Sequence, residues 1–244
     1  IAITDKLTRT KTALEHGCDL VVELPTVFAL SSAERFAKGG VQIADALNLD
    51  ILCFGAEDDD IEKLKKLGDL FETEDFKNKL KYHLSSGEYY PKAVSFTVNE
   101  LLGKEYAETL NGANNTLAIE YIRALKSTNI SPVAIKREGA SHDSNITSNN
   151  IASATHIRNL IRDNKNYNPF TESKIDYFTD IKNLETAILY RLKTMTKEEI
   201  EKLPDVSEGL HNRIFECAKS SNSLEELYNN LKTKRYTLAR LRRI

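Results

Sequence analysis

Residues 20–60 read LVVELPTVFALSSAERFAKGGVQIADALNLDILCFGAEDDD, and the fold is decided by how their apolar side chains are spaced. Residues 20–24 form a short apolar run closed by Pro25, which suits a buried parallel strand. Ser31 or Ser32 then opens a helix in which Ala33, Phe36, Ala37, Val41, Ala44 and Leu47 recur at spacings of three and four, the repeat of one helical face. Residues 51–54 make a second buried strand, which delivers Gly55 and the acidic loop 57–60. Strand, helix and strand in that order form a crossover unit, and such units build parallel sheets.

The flanks extend the same alternation. On the N-terminal side, Asp5 caps a helix running to about His16, with Gly17 as its stop. On the other side, residues 61 to about 103 are helical and heavily charged, punctuated by Gly87 and Pro91. Asn114 and Asn115 start a further helix through Leu125, and residues 132–135 read as a third strand ending at Lys136 and Arg137. A polar loop, 138–150, leads to a helix starting near Ser153. After Asn168-Pro169 the strand signals stop. Residues 181–195, 196–203, 207–220 and 223–231 read as short amphipathic helices separated by Pro204 and serine clusters. The expected organisation is an α/β domain over residues 1–168 and a small all-helical domain over 169–244.

Composition narrows the class. The chain has 244 residues, 41% hydrophobic and 29% charged, a balance suited to a soluble globular protein. No apolar run reaches the length of a membrane span and no basic-then-apolar leader opens the chain, so the expected location is the cytoplasm. The chain opens at Ile1 and closes on Arg242-Arg243-Ile244 in mid-pattern, and it reads as cut at both ends. Cys18, Cys53 and Cys217 are widely spaced; Cys18 and Cys53 adjoin or lie within apolar segments and are expected in the core. No cysteine or histidine spacing matches a metal site. The net charge of −2 is uneven: residues 232–243, KTKRYTLARLRR, carry six basic side chains and no acid.

Ligands of open α/β sheets bind beyond the carboxyl ends of the strands. Gly55 stands at one such end, either as a plain tight turn or as a bare spot that lets a nucleotide approach the backbone. Arg137 stands at another, as a solvated arginine or a phosphate contact. Asn114, at a helix start, either caps that helix or contacts a base or ribose. Ser153 and Arg158 lie on the first turns of a helix in IASATHIR (151–158), which reads as an anion site or as an ordinary capped surface helix. His142-Asp143 is a conceivable acid/base pair or a solvated loop, and the carboxylates of 57–60 read as an exposed acidic loop. No phosphate-loop, dinucleotide-fingerprint or nucleophile-elbow motif occurs.

Longer stretches carry a resemblance. DKLTRTKTALEHGCDLVVELPTVFALSSAERFAKGG (5–40), FGAE (54–57), NNTLAIEY (114–121), IASATHIR (151–158), SEGLHNRI (207–214) and KTKRYT (232–237) resemble, in order, the tRNA(Met) cytidine acetate ligase family. The resemblance implies a Rossmann-like nucleotidyltransferase domain. It also implies that ATP, with magnesium expected, converts acetate to acetyl-adenylate, and that the acetyl group passes to N4 of the wobble cytidine of elongator tRNA(Met). It puts ATP contacts on Gly55, Asn114 and Arg137, and a possible phosphate contact on Ser153 and Arg158, although Ala152 and Ala154 depart from the related motif. It makes Lys232, Lys234, Arg235, Arg240, Arg242 and Arg243 part of a tRNA surface, where basic side chains bind phosphates. The HxGH motif of the family is expected before Ile1 and is absent from this sequence, so the chain alone is expected to adenylate poorly. Two other functions fit the same residues: a nucleotidyltransferase acting on a small metabolite, or a non-catalytic RNA-binding module.

Overall fold

The structure, a computed structural model, describes residues 2–137, 152–171, 175 and 178–244. Its contacts divide the chain into two compact units, one of residues 23–142 and one of residues 1–22 with 143–244. The first helix, α1 (Lys6–Glu15), is capped by Asp5, whose Oδ1 accepts from Thr8 N–H at 3.0 Å. It ends at Gly17, where φ is +95° and the absent Cβ removes the steric cost.

In the unit 23–142, α2 (Thr26–Ala29) precedes α3 (Ala33–Ala46), β1 (Ile51–Ala56), α4 (Ile61–Leu70), α5 (Glu74–Ser85), α6 (Tyr90–Leu102), α7 (Lys104–Thr109), α8 (Ala113–Leu125) and β2 (Ser131–Lys136). The two strands are parallel, with Ile51 opposite Ser131 and Gly55 opposite Ile135. Ser131 N–H donates to Asp50 O and Arg137 N–H to Ala56 O, so the odd-numbered amides of β2 face β1. Pro132, which has no N–H, falls on the opposite edge and leaves the ladder intact.

Phe54 and Ala56 of β1 point into a core with Leu64 and Leu67 of α4, Phe76 of α5, Val98 of α6 and Ala118, Ile119 and Ile122 of α8. Phe54 stacks on Tyr121 with ring centroids 5.6 Å apart. A second cluster joins Val41 and Ala44 of α3 to Leu125 and Ile130. At the far end of α8, Arg123 pairs with Glu72 (2.6 Å) and Glu120 (2.7 Å). Burial pushes the Glu120 carboxyl up, against the pull of Arg123.

In the other unit, α9 (Ala154–Arg162) is followed by α10 (Glu185–Thr194), α11 (Lys197–Glu201), α12 (Leu210–Ser220), α13 (Leu224–Leu231) and α14 (Leu238–Leu241). The helices from α10 onward share a core of Leu189, Ile200, Leu210, Ile214, Leu227, Leu231 and Tyr236. Thr196 and Glu199 form a reciprocal capping box at the start of α11. Among the described residues no helix is long and apolar enough to cross a membrane.

Three expectations fail. Residues 20–24 form no strand, and Leu20 is 67% exposed. An apolar run becomes a strand only when another strand satisfies its N–H and C=O groups, and among the described residues the ladder joins β1 and β2 alone. The two strands that do form are covered on one face. Phe54 and Ala56 are buried while Ile51, Val133 and Ile135 are exposed, Ile135 to 58%. Cys53 sits on that open face, and Cys53 and Cys18 are both exposed rather than in the core.

Candidate nucleotide-binding site

The carboxyl ends of β1 and β2 bring Gly55 and Arg137 together. A Cβ built on Gly55 would lie 3.3 Å from Arg137 Cγ and 3.7 Å from its Cδ. Bonded to Ala56 O through its own N–H, Arg137 therefore lays its stem across the one position in β1 without a side chain. A guanidinium at a strand terminus, beside bare backbone, can meet a phosphate that comes close to the chain.

Two residues beyond Gly55, Glu57 reaches α8. Its Oε1 accepts from Asn114 Nδ2 at 2.6 Å and from Asn114 N–H at 3.3 Å, and its Oε2 accepts from Asn115 N–H at 2.8 Å. Helix α8 begins after Gly112, which offers no side-chain cap, so a carboxylate 57 residues away in sequence closes the helix start. Burial pushes the Glu57 carboxyl up, but the hydrogen bonds from Asn114 and Asn115 outweigh it and hold the group below its ordinary value of 4.5.

Asn115 locks the corner from inside. It is 3% exposed; its Oδ1 accepts from Asp58 N–H at 2.8 Å and its Nδ2 donates to Thr109 O at 2.9 Å. Asp58 is in turn paired with Lys63 at 2.9 Å. Gly112 leaves room for both anchors, since a Cβ there would come within 2.8 Å of Asn115 Nδ2 and of Glu57 Cδ.

Sequence reasoning named Gly55, Arg137 and Asn114 but took Glu57 for part of an acidic loop. One signal was available: a helix starting at Ala113 without Ser, Thr, Asp or Asn before it needs its cap from elsewhere, and FGAE places a carboxylate at a strand end.

The remaining candidates belong to the other unit or lie outside the described residues. Ser153, 7% exposed, is the N-cap of α9, and its Oγ accepts from His156 N–H at 3.1 Å. Arg158 lies one turn on, half-buried, and makes no ion pair among the described residues. His142-Asp143 and the loop 138–150 lie outside the described residues. In the C-terminal run, Lys232, Lys234, Arg235 and Arg242 are exposed. Arg240 is held instead: its guanidinium donates to Asp205 O at 2.9 Å, Ser207 Oγ at 2.6 Å and Glu208 Oε2 at 3.2 Å. Arg243 pairs with Asp205 at 2.6 Å. Among the described residues no group of three or more His, Cys, Asp or Glu is placed to hold a metal ion.

The whole chain, residues 1–244, matches the family model described as HIGH Nucleotidyl Transferase. The chain belongs to that family. It is 38% identical over 263 residues to the tRNA(Met) cytidine acetate ligase of Clostridium novyi (strain NT), covering 100% of this chain and 66% of that protein. It is 38% identical over 264 residues to the ligase of the same name from Caldanaerobacter subterraneus subsp. tengcongensis, covering 100% of this chain and 65% of that one. Among solved structures, Thermotoga maritima TmcAL in its apo form superposes with a TM-score of 0.90 at 28% identity, over 99% of this chain and 62% of the other. The same protein bound with alpha-thio ATP gives 0.86 at 28% identity and the same coverage. The chain therefore has the nucleotidyltransferase fold and spans somewhat less than two thirds of the length of these relatives.

Proposed function

We propose that this chain is the nucleotide-binding part of a tRNA(Met) cytidine acetate ligase that works in the cytoplasm. The observation that carries the reading is the corner at the carboxyl ends of β1 and β2, where Arg137 lies over bare Gly55 and Glu57 holds Asn114. The names of the relatives, and the alpha-thio ATP bound by Thermotoga maritima TmcAL, support ATP as the ligand of that corner.

In this reading Gly55 lets the nucleotide approach the backbone, Arg137 neutralises phosphate charge, and Asn114 contacts the nucleoside. An acetate oxygen attacks the α-phosphorus, pyrophosphate leaves, and acetyl-adenylate results; N4 of the cytidine then attacks the acetyl carbonyl and AMP leaves. The first step needs a positioned and neutralised triphosphate more than a protein nucleophile. Magnesium is expected to arrive with ATP, because Mg²⁺ binds mainly through phosphates and water with few protein carboxylates. Glu57 and Asp58 are already engaged by Asn114, Asn115 and Lys63, so phosphate oxygens rather than these two carboxylates would hold the metal.

Nucleotide work is assigned to residues 1–168, with Ser153 and Arg158 as a second phosphate contact. RNA binding is assigned to residues 169–244. There the exposed Lys232, Lys234, Arg235 and Arg242 offer charge to tRNA phosphates, and Arg240 and Arg243 contribute from anchored positions. The test incubates the full-length protein with ATP, labelled acetate and elongator tRNA(Met), then digests the RNA. Labelled N4-acetylcytidine is the expected product. ATP turnover with no labelled nucleoside would reject the ligase and favour a nucleotidyltransferase acting on a small metabolite.

A further inference from the structure

Glu57 does more than cap α8. A carboxylate accepts hydrogen bonds and donates none, so its partner on the Asn114 side chain must be the amide NH2. Oxygen and nitrogen of an asparagine amide are ordinarily assigned from their surroundings. Here the surroundings leave one answer: Nδ2 faces Glu57 Oε1 at 2.6 Å, and Oδ1 faces away. No hydrogen bond satisfies Oδ1 among the described residues, and Asn114 is only half-buried. The same carboxylate consumes the N–H groups of Asn114 and Asn115. Those two amides at the start of α8 are therefore not free to attract a phosphate.

We infer that Glu57 is a specificity-positioning residue: it fixes the Asn114 amide so that the site presents a neutral acceptor, Oδ1, to a hydrogen-bond donor of the nucleoside. That donor is a ribose hydroxyl or the 6-amino group of adenine; the phosphates lie toward Arg137. The inference rests on the nucleotide site proposed above. Glu57→Gln tests it with almost no change in shape. A glutamine amide placed at Oε1 would ask Asn114 to turn its oxygen inward, which withdraws the acceptor from the nucleoside. Placed at Oε2, it would face the Asn115 N–H, donor to donor.

The experiment measures dissociation constants of the full-length protein for ATP, 2′-deoxy-ATP, 3′-deoxy-ATP and purine riboside triphosphate, in wild type, E57Q, N114A and R137A, with thermal melts as the folding control. Wild type should bind one of the three analogues about tenfold more weakly than ATP, the range of a lost hydrogen bond in a site built for it. Which analogue it is names the donor. In E57Q and N114A the ratio should fall toward one, while R137A should weaken all four nucleotides alike and keep the ratio. A wild-type ratio near one for every analogue, or full discrimination in a folded E57Q, overturns the inference and leaves the site standing if R137A still loses affinity. Wild-type ATP affinity in both R137A and N114A would remove the site itself.

Discussion

Asn115→Ala tests whether the corner is held as described. Two buried or half-buried backbone groups depend on this side chain, the N–H of Asp58 at 2.8 Å and the carbonyl of Thr109 at 2.9 Å. Truncation leaves the Asp58 N–H without a partner, while Thr109 O keeps the Gly112 N–H at 3.4 Å, and a methyl group at a 3% exposed position admits little water. An orphaned buried polar group costs about 1–3 kcal/mol, and with one such group, the Asp58 N–H, the expected loss is roughly 1–3 kcal/mol. With a urea slope of about 2 kcal/mol per molar, the midpoint should fall by about 0.5–1.5 M. The chain has no tryptophan, so far-UV circular dichroism is the suitable probe. Because the loop carrying Glu57 loses its tie to α8, ATP affinity should fall as well. A loss below about 0.5 kcal/mol, the level of an ordinary surface substitution, would refute the reasoning.

Three further outcomes are expected. Gly112→Ala should destabilise and weaken ATP binding, although φ of −83° suits any residue there, because its Cβ would meet Glu57 and Asn115; unchanged melting and affinity would show that the corner has slack. Replacing Lys234 and Arg235 together should weaken tRNA binding and lower its salt slope by up to about 2, one per phosphate contact; an unaltered slope in a salt titration counts against them. The Glu57 carboxyl, depressed in the folded state, contributes stability that is present above its ordinary value of 4.5 and lost as pH falls through the lower folded value. E57Q should accordingly flatten that part of the acid limb in melts taken from pH 6 to 3, and a superimposable limb would deny the coupling.

Local rules made most of the elements legible. Asp5 and Gly17 bound α1, the spacing of Ala37, Val41 and Ala44 set the buried face of α3, and Asn114 stands at the start of α8. Such signals act within a few residues, where capping, chirality and side-chain period decide the outcome. What stayed hidden depends on distant partners. Residues 20–24 satisfy every local condition for a strand and lack a ladder. Cys53 and Ile135 look like core residues because alternation on a half-covered strand cannot be told from burial on both faces in so short a run. In the site, Gly55 and Arg137 were readable as strand ends. The Glu57–Asn114 bond, which joins residues 57 apart, and the anchoring of Arg240 on residues 205–208 were not.

The measurement that bears most directly on the nucleotide site is the ATP affinity of Arg137→Ala against wild type, by titration calorimetry of the full-length protein. Loss of a charge-assisted contact to phosphate should weaken binding about tenfold or more, with tRNA affinity and the ATP-free melting temperature unchanged. Equal ATP affinity in the two proteins would contradict the assignment of this corner to the nucleotide.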